Sequence, residues 1–554
     1  MVHPKDKKNK TNRTDILEIA TEYYRELYDD IIPYDDHHTI DIYTNSEEEI
    51  PVILKDEVTM AIKSQKRGKA PGEDGISNEL LIGTSEIILE YITDLFNEIL
   101  DTECIPQQWT TSTIILLHKK GKKENISNYR PISLMSNIYK VFSKVLLNRM
   151  TRTLDENQPR EQAGFRSDFS TIDHIHTIKQ LIQKCKEYHI TYYLAFVDYN
   201  KAFDSLKHKK IWEALKTQRV QPKYIRLLNN IYKNMKAKIR TEKLGEYFPI
   251  KRGVRQGDPL SPKLFSAALE YIFRRLEWNK YGLKVNGLQL NHLRFADDLI
   301  LISEDPKSLQ EMLIQLVYES NEMGLSMNTT KTKVMSNSHN TPIIVNGINM
   351  EYVEEYTYLG QIISPDDLTT KEINNRTQLA WKRYWSLKEI MKNSQIPLKS
   401  KKKIFDTCIL PVMTYGCQTW SLTKQNTHKL EVCQHSMERS MLNVKLRDKT
   451  KLRTLRNRTK ITDVTYCIRK LKWKWAGHMM RSNKNKWAKD VTEWCPRENK
   501  RKRGRQYLRW EDEIRRVAGH TWERETHNRK GWQALGEAFA ETQDNLNTGV
   551  IIDN

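Results

Sequence analysis

Cysteine is scarce in this chain of 554 residues: seven, at Cys104, Cys185, Cys408, Cys417, Cys433, Cys467 and Cys495. The number is odd, the spacing wide and no CxxC occurs, which excludes a disulfide framework or a zinc ribbon and points to a reducing, intracellular compartment. Cys433-x-His435 with Cys467, His478 and Cys495 lacks the spacing of a zinc knuckle. Long apolar runs are missing too. Nothing approaches the roughly 20 residues a spanning helix requires, so a membrane protein is excluded. The start, MVHPKDKKNK, lacks the apolar stretch of a secretory leader. There is no repeat of 20–50 residues, no P-loop and no Ser/His/Asp signature.

What is abundant is positive charge, 91 Lys+Arg against 70 Asp+Glu, a net +21. Residues 441–510 hold 23 Lys/Arg and 5 Asp/Glu, a surplus of 18, so the other 484 residues carry only +3. The first fifty are acidic, with 13 Asp/Glu against 6 Lys/Arg. The basic block carries Trp473, Trp475, Trp487, Trp494 and Trp510. Cations interleaved with aromatics suit a phosphate backbone and unpaired bases. A solvated tail or a nuclear-import signal at Lys500–Arg505 is the plainer reading, but five tryptophans argue against disorder.

Apolar periodicity predicts an amphipathic helix over 15–28, an acidic linker to about Pro51, helices over 80–100 and 138–153, and a strand from Thr113 running into a basic turn by Lys123. Short strands alternate with helices over 190–360, and 371–440 is mostly helical.

Four Asp-Asp pairs occur, at 29–30, 35–36, 297–298 and 366–367, so the dipeptide by itself carries no signal. Asp35-Asp36-His37-His38 looks like a metal cluster but sits in the linker with no placed partner. Only Asp297-Asp298 falls between two strand-like runs, Leu293–Ala296 and Leu299–Ile302, which places two carboxylates at a hairpin tip. A second apolar strand, Tyr192–Val197, ends at Asp198. Carboxylates gathered this closely repel one another unless a cation neutralises them. Hard oxygen donors suit Mg²⁺. Two such ions about 3.5–4 Å apart activate an attacking hydroxyl and stabilise a leaving pyrophosphate, the chemistry of nucleotidyl transfer.

The motifs FVDYNKAFD (Phe196–Asp204), RGVRQGDPLSP (Arg252–Pro262) and RFADDLILIS (Arg294–Ser303), in that order, resemble a reverse transcriptase palm. NYRPISL (Asn128–Leu134) and QAGFRSDFST (Gln162–Thr171) precede them; GLSMNTTKTKVM (Gly324–Met335) and YTYLG (Tyr356–Gly360) follow. The pattern is similar to non-LTR (LINE-like) retrotransposon reverse transcriptases. The likeness extends through RKLKWKWAGHMMR (Arg469–Arg481), RGRQYLRWEDEI (Arg503–Ile514) and NRKGWQALGEAF (Asn528–Phe539), covering about 15 to 540.

The resemblance implies that Asp198, Asp297 and Asp298 hold the metal-carboxylate positions, with Asp198 and Asp297 the direct ligands and Asp298 in a lesser electrostatic part. Phe203 takes the place of the aromatic beneath the incoming sugar, a steric gate against a 2′-hydroxyl; a plain core phenylalanine is the bland reading. Gln256 and Gly257 lie in a loop that would contact nucleotide or template, glycine allowing close backbone approach. Ser261-Pro262 reads as the cap and first turn of the next helix. One of Lys119 and Lys120, with Arg130, would grip the triphosphate, and Lys119 is the first choice. Lys331, with Lys333 as its rival in register, would protonate leaving pyrophosphate. Arg166 is a further candidate for template contact.

The implied fold is α+β, a right-hand polymerase with fingers, palm and thumb, an antiparallel palm sheet and a basic helical C-terminal region. The expected divisions are an N-terminal helix and acidic linker (1–55), fingers and palm (56–365), a helical thumb (366–445) and a nucleic-acid-binding region (446–554). The implied function is an RNA-directed DNA polymerase that copies template RNA from a DNA primer or target 3′-hydroxyl, using dNTPs and two Mg²⁺ ions, with Mn²⁺ as a substitute. The nucleus is the expected location, with the cytoplasm second, and no membrane is involved. The roughly 50 residues ahead of the fingers are too few for an endonuclease. Two alternatives stand beside this reading: an inactive transposon-derived relic that binds nucleic acid, and an RNA-dependent RNA polymerase, which Phe203 disfavours.

Overall fold

A computed structural model describes residues 10–29, 50–367, 369–496 and 508–541. Most of the acidic linker, with Asp35-Asp36-His37-His38, and the basic cluster at 500–505 lie outside the described residues. In chain order the elements that build the centre are α1 (Arg13–Tyr28), β1 (Thr111–His118), β2 (Tyr129–Leu134), α2 (Asn137–Glu156), α3 (Thr171–Tyr188), β3 (Tyr193–Val197), β4 (Lys236–Arg240), β5 (Phe248–Pro249), α4 (Ser261–Phe273), β6 (His292–Phe295), β7 (Asp298–Ser303), β8 (Lys333–Ser336) and β9 (Glu351–Tyr352). Helices α5 (Thr370–Ser386), α6 (Lys424–Met441), α7 (Leu452–Thr459), α8 (Val464–Arg481), α9 (Trp487–Glu493) and α10 (Arg529–Glu541) follow. The fold is α+β.

Two sheets carry the architecture. The first has strand order β2-β1-β4-β5, with β1 and β2 antiparallel. The second has order β9-β8-β3-β7-β6, antiparallel except for the short parallel β8–β9 edge pair. Its central strands read as unbroken apolar runs because both faces are covered. Tyr193, Ala195 and Val197 of β3, with Leu299 and Leu301 of β7, join the large core shared with α2 and α4. The intervening Leu194, Phe196, Ile300 and Ile302 face a second core with Ile178, Leu181 and Ile182 of α3. Each such side chain is worth about 1.5–3 kcal/mol of burial, and the period of two fixes the register.

The predicted helix over 80–100 is two helices, Asn78–Gly83 and Ser85–Thr102, broken at Thr84. Ser261 is the first residue of α4, not its cap: its hydroxyl donates to the Arg255 carbonyl at 2.7 Å.

The five tryptophans of the basic block do not offer faces to bases, contrary to the sequence expectation. Trp473, Trp487, Trp494 and Trp510 are buried, and Trp475 is packed among them. Trp473 stacks on Trp532 at 4.0 Å, and Trp510 sits against His176 of α3 at 4.5 Å. Aromatic content there builds a core, and Lys472 and Lys486 are buried with it, while a run of other cations stays at the surface. Lys445, Arg447, Lys449, Lys451, Arg453, Arg458 and Lys460 are exposed along the loop before α7, on α7 itself and just after it. Among the described residues no helix is long and apolar enough to cross a membrane.

Candidate active site

Strand pairing brings the three aspartates to one end of the second sheet. β3 and β7 pair with Val197 opposite Leu299, so Asp198 leaves β3 beside the start of β7. β6 and β7 form a hairpin in which Phe295 pairs with Asp298 across the two-residue turn Ala296-Asp297. Asp297 is thus the turn residue and Asp298 the first residue of the strand. Ala296 has φ +57°, a left-handed conformation costly for a residue with a Cβ.

Asp297 and Asp298 reach solvent, yet the surrounding protein desolvates both. Desolvation raises the Asp297 carboxyl. It also raises Asp298, which Asp297 and Asp198 push further, to about 6. Neither makes an ion pair among the described residues. Asp198 does: Lys331 Nζ lies 3.3 Å from its Oδ2. The loop carrying Lys331 is tied to the same residue, since Asn328 N donates to the Asp198 carbonyl at 2.8 Å. Lys333 points elsewhere, to Glu351 at 2.5 Å.

As a donor set, three hard carboxylates whose mutual repulsion Lys331, Lys119 and Arg130 only partly offset suit a divalent cation. Among the described residues no three acidic, His or Cys side chains are already drawn into a ligand cage.

The first sheet brings cations to the same space. Lys119 follows β1 and Arg130 lies on β2, opposite Leu117. Desolvation and Arg130 lower the Lys119 ammonium, while Asp297 and Asp198 pull it back up. Both cations also pull the Asp297 carboxyl down. Lys120, exposed beside them, is not among the cations that act on either aspartate.

Phe203 stacks face to face on Phe265 of α4 at 4.4 Å, and Phe165 meets it edge-on at 6.3 Å. It is half-buried, its ring held by a second aromatic that the sequence reading did not pick out. Gly257 has φ +123°, and a Cβ there would approach the Ser133 carbonyl oxygen at 3.0 Å; Ser133 N in turn donates to the Gln256 carbonyl. The Gln256 amide donates to both oxygens of Asp204 at 3.0 and 3.1 Å. Asp204 also accepts from Tyr28 of α1 at 2.9 Å.

Desolvation raises the buried Asp204 carboxyl to about 6 and lowers neighbouring Lys201 to about 8. Their attraction opposes both shifts, and burial wins over it. The Lys201 ammonium lies over the rings of Tyr23 and Tyr24, at 4.4 and 5.2 Å. Through Asp204, helix α1 therefore backs both the helical turn Ala202–Ser205, which bears Phe203, and the loop that bears Gln256. Its amphipathic pattern announced a buried face but not what that face touches. Arg166 spends its donors on the carbonyls of Pro159 and Gln162, so it braces a loop.

A second feature missed from sequence lies under the hairpin. Arg294 is fully buried, paired to Glu270 of α4 at 2.7 Å and stacked over Phe273 at 4.2 Å. An arginine inside a strand with a glutamate on a buried helix was the available signal.

Residues 117–363 match the family model described as reverse transcriptase (RNA-dependent DNA polymerase). A transposon-derived protein of Caenorhabditis elegans is 32% identical over 244 residues, 42% of this chain and 87% of that protein. The RNA-directed DNA polymerase from mobile element jockey of Drosophila melanogaster is 24% identical over 410 residues, 70% of this chain; the chain spans 43% of that protein's length. A solved telomerase from Candida tropicalis in complex with telomeric RNA aligns over 76% of this chain and 68% of its own, at 14% identity and a TM-score of 0.37. With the C. elegans protein matched across most of its length, and the carboxylate end of the sheet inside the matched span, the chain belongs to the reverse transcriptase family of non-LTR retrotransposons.

Proposed function

We propose that the chain is an RNA-directed DNA polymerase that extends a primer 3′-hydroxyl with dNTPs on an RNA template. The carrying observation is the convergence of Asp198 with the Ala296-Asp297 turn, opposite Lys119 and Arg130. Asp198 and Asp297 are the proposed ligands, with Asp298 in support, and Mg²⁺ is the ion their hard oxygens favour over softer metals. Bound there, a pair of Mg²⁺ ions supplies charge neutralisation and a more acidic primer hydroxyl. The protein's own groups do the rest. Lys119 and Arg130 hold the triphosphate. Phe203, braced by Phe265, meets the sugar where a 2′-hydroxyl would collide. Gln256 and Gly257 shape the floor against β2. Lys331 holds a proton within reach of the aspartates, in place to donate it to the leaving pyrophosphate.

The exposed cations before and on α7 are the proposed docking surface for template RNA or target DNA, with the nucleus as the site of action. Incubation of an RNA template and annealed DNA primer with either dNTPs or NTPs tests the reading. DNA product from dNTPs alone is expected; RNA product would favour a replicase, and no product would favour a relic.

A further inference from the structure

The C-terminal region is built into the core beneath the candidate site. Trp487 and Val491 of α9, with Trp494, complete the apolar layer under Leu194, Phe196, Ile300 and Ile302. Polar links then run from α9 to residues 160–173. Arg160 pairs with Asp490 at 2.5 Å, and its guanidinium lies 3.9 Å over the Trp487 ring. Trp487 Nε1 donates to Glu161 at 2.8 Å. Lys486 Nζ reaches Asp173 at 3.2 Å and the Asp168 carbonyl.

The segment so held runs beside β6. Arg294 N donates to the Glu161 carbonyl at 2.9 Å and Ala163 N to the Arg294 carbonyl at 3.0 Å. Gly164 is pressed against the turn: a Cβ there would lie 2.4 Å from Ala296 N. The left-handed Ala296 needs such support, because that conformation persists only where its surroundings over-determine it.

We propose that Trp487 and Asp490 are positioning residues for the candidate site: through residues 160–164 they fix the β6–β7 turn that carries Asp297 and Asp298. The inference rests on the polymerase reading for its consequence in catalysis, but not for its structural content. A C-terminal region that merely docked nucleic acid would touch template and leave this turn alone.

The test uses the full chain with Trp487→Phe and Asp490→Asn combined, which removes the indole N–H and the charge; Asn matches Asp in size, and Phe keeps an aromatic, smaller ring in the buried layer. Backbone hydrogen exchange at Ala163 and Arg294 is expected to quicken at least tenfold, with exchange in α2 unchanged. Primer extension at saturating template is expected to fall about tenfold in kcat with unaltered RNA affinity, and Asp490→Glu to restore most of it. Unchanged exchange at both amides overturns the proposal, whether or not the wild type extends primers. Lower RNA affinity with undisturbed exchange would also overturn it, returning the region to a docking role. A wild type that fails to extend while the variant's exchange quickens would contradict the proposed function and leave the positioning contact supported.

Discussion

Lys331 lies 3.3 Å from Asp198, whereas Lys333, two residues on, is carried away to Glu351 by its place in β8. The separation comes from where the strand starts: β8 begins at Lys333, paired with Phe196, while Lys331 is still in the loop that closes over the end of β3. This distinguishes two lysines that the sequence alone leaves in competition. Lys331→Ala is expected to lower kcat about 100-fold, the typical worth of a placed general acid. Lys333→Ala should stay within about twofold. Single-turnover extension with each variant checks it, and equal losses would contradict the assignment.

Phe203→Val opens the space over the sugar. Its ring owes its position to Phe265, so the backbone should hold while selectivity falls. Ribonucleotide incorporation is expected to rise at least tenfold relative to deoxynucleotides, measured as the ratio of kcat/KM values. An unchanged ratio would return Phe203 to plain core packing.

Asp204 gives a pH dependence whose sign follows from burial. Its folded carboxyl is raised to about 6, so its stabilising contribution is fully present below about pH 4 and is lost as pH rises through 6. The full loss is on the order of 3 kcal/mol for a shift of about two units. Asp204→Asn keeps an acceptor for Tyr28 and cannot ionise. The wild type should therefore lose thermal stability relative to the variant mainly between about pH 4 and 6. Parallel melting curves across that range would contradict the account. The same variant should raise KM for dNTPs, since Gln256 keeps only one of its two acceptor oxygens and shares it with Tyr28.

Arg453, Arg458 and Lys460 are exposed on and just after α7. Replacing all three with glutamine should weaken RNA binding and flatten the slope of log affinity against log salt by roughly 2, about 0.7 per lost phosphate contact. Titrations from low to moderate salt would show it, and an unaltered slope would remove this surface from the docking role.

Much of this site is legible in the sequence because its chemistry is local. Asp198 ends an apolar run, Asp297-Asp298 interrupts another, and a period of two places both at strand ends. The flanking runs put both Asp297 and Asp298 in the turn, whereas the pairing of Phe295 with Asp298 shifts it by one, to Ala296-Asp297, and makes Asp298 the first residue of the strand. Trp473, Trp487, Trp494 and Trp510 were not legible in the same way. An apolar ring must find a partner, but sequence does not say whether that partner is a base or another part of the chain. Arg294 with Glu270, and Tyr28 with Asp204, bridge segments far apart in sequence, so no local pattern reports them. Lys119 and Lys120 both follow the end of β1 at His118, and which of them acts on Asp297 depends on distances across the fold that side-chain type does not report.

The most direct measurement is primer extension on an RNA template with Mg²⁺ and dNTPs, comparing the wild type with Asp297→Asn while RNA binding is followed in parallel. The account predicts DNA product from the wild type, at least a thousandfold less from the variant, and equal RNA affinity for both. Full activity in Asp297→Asn would contradict it.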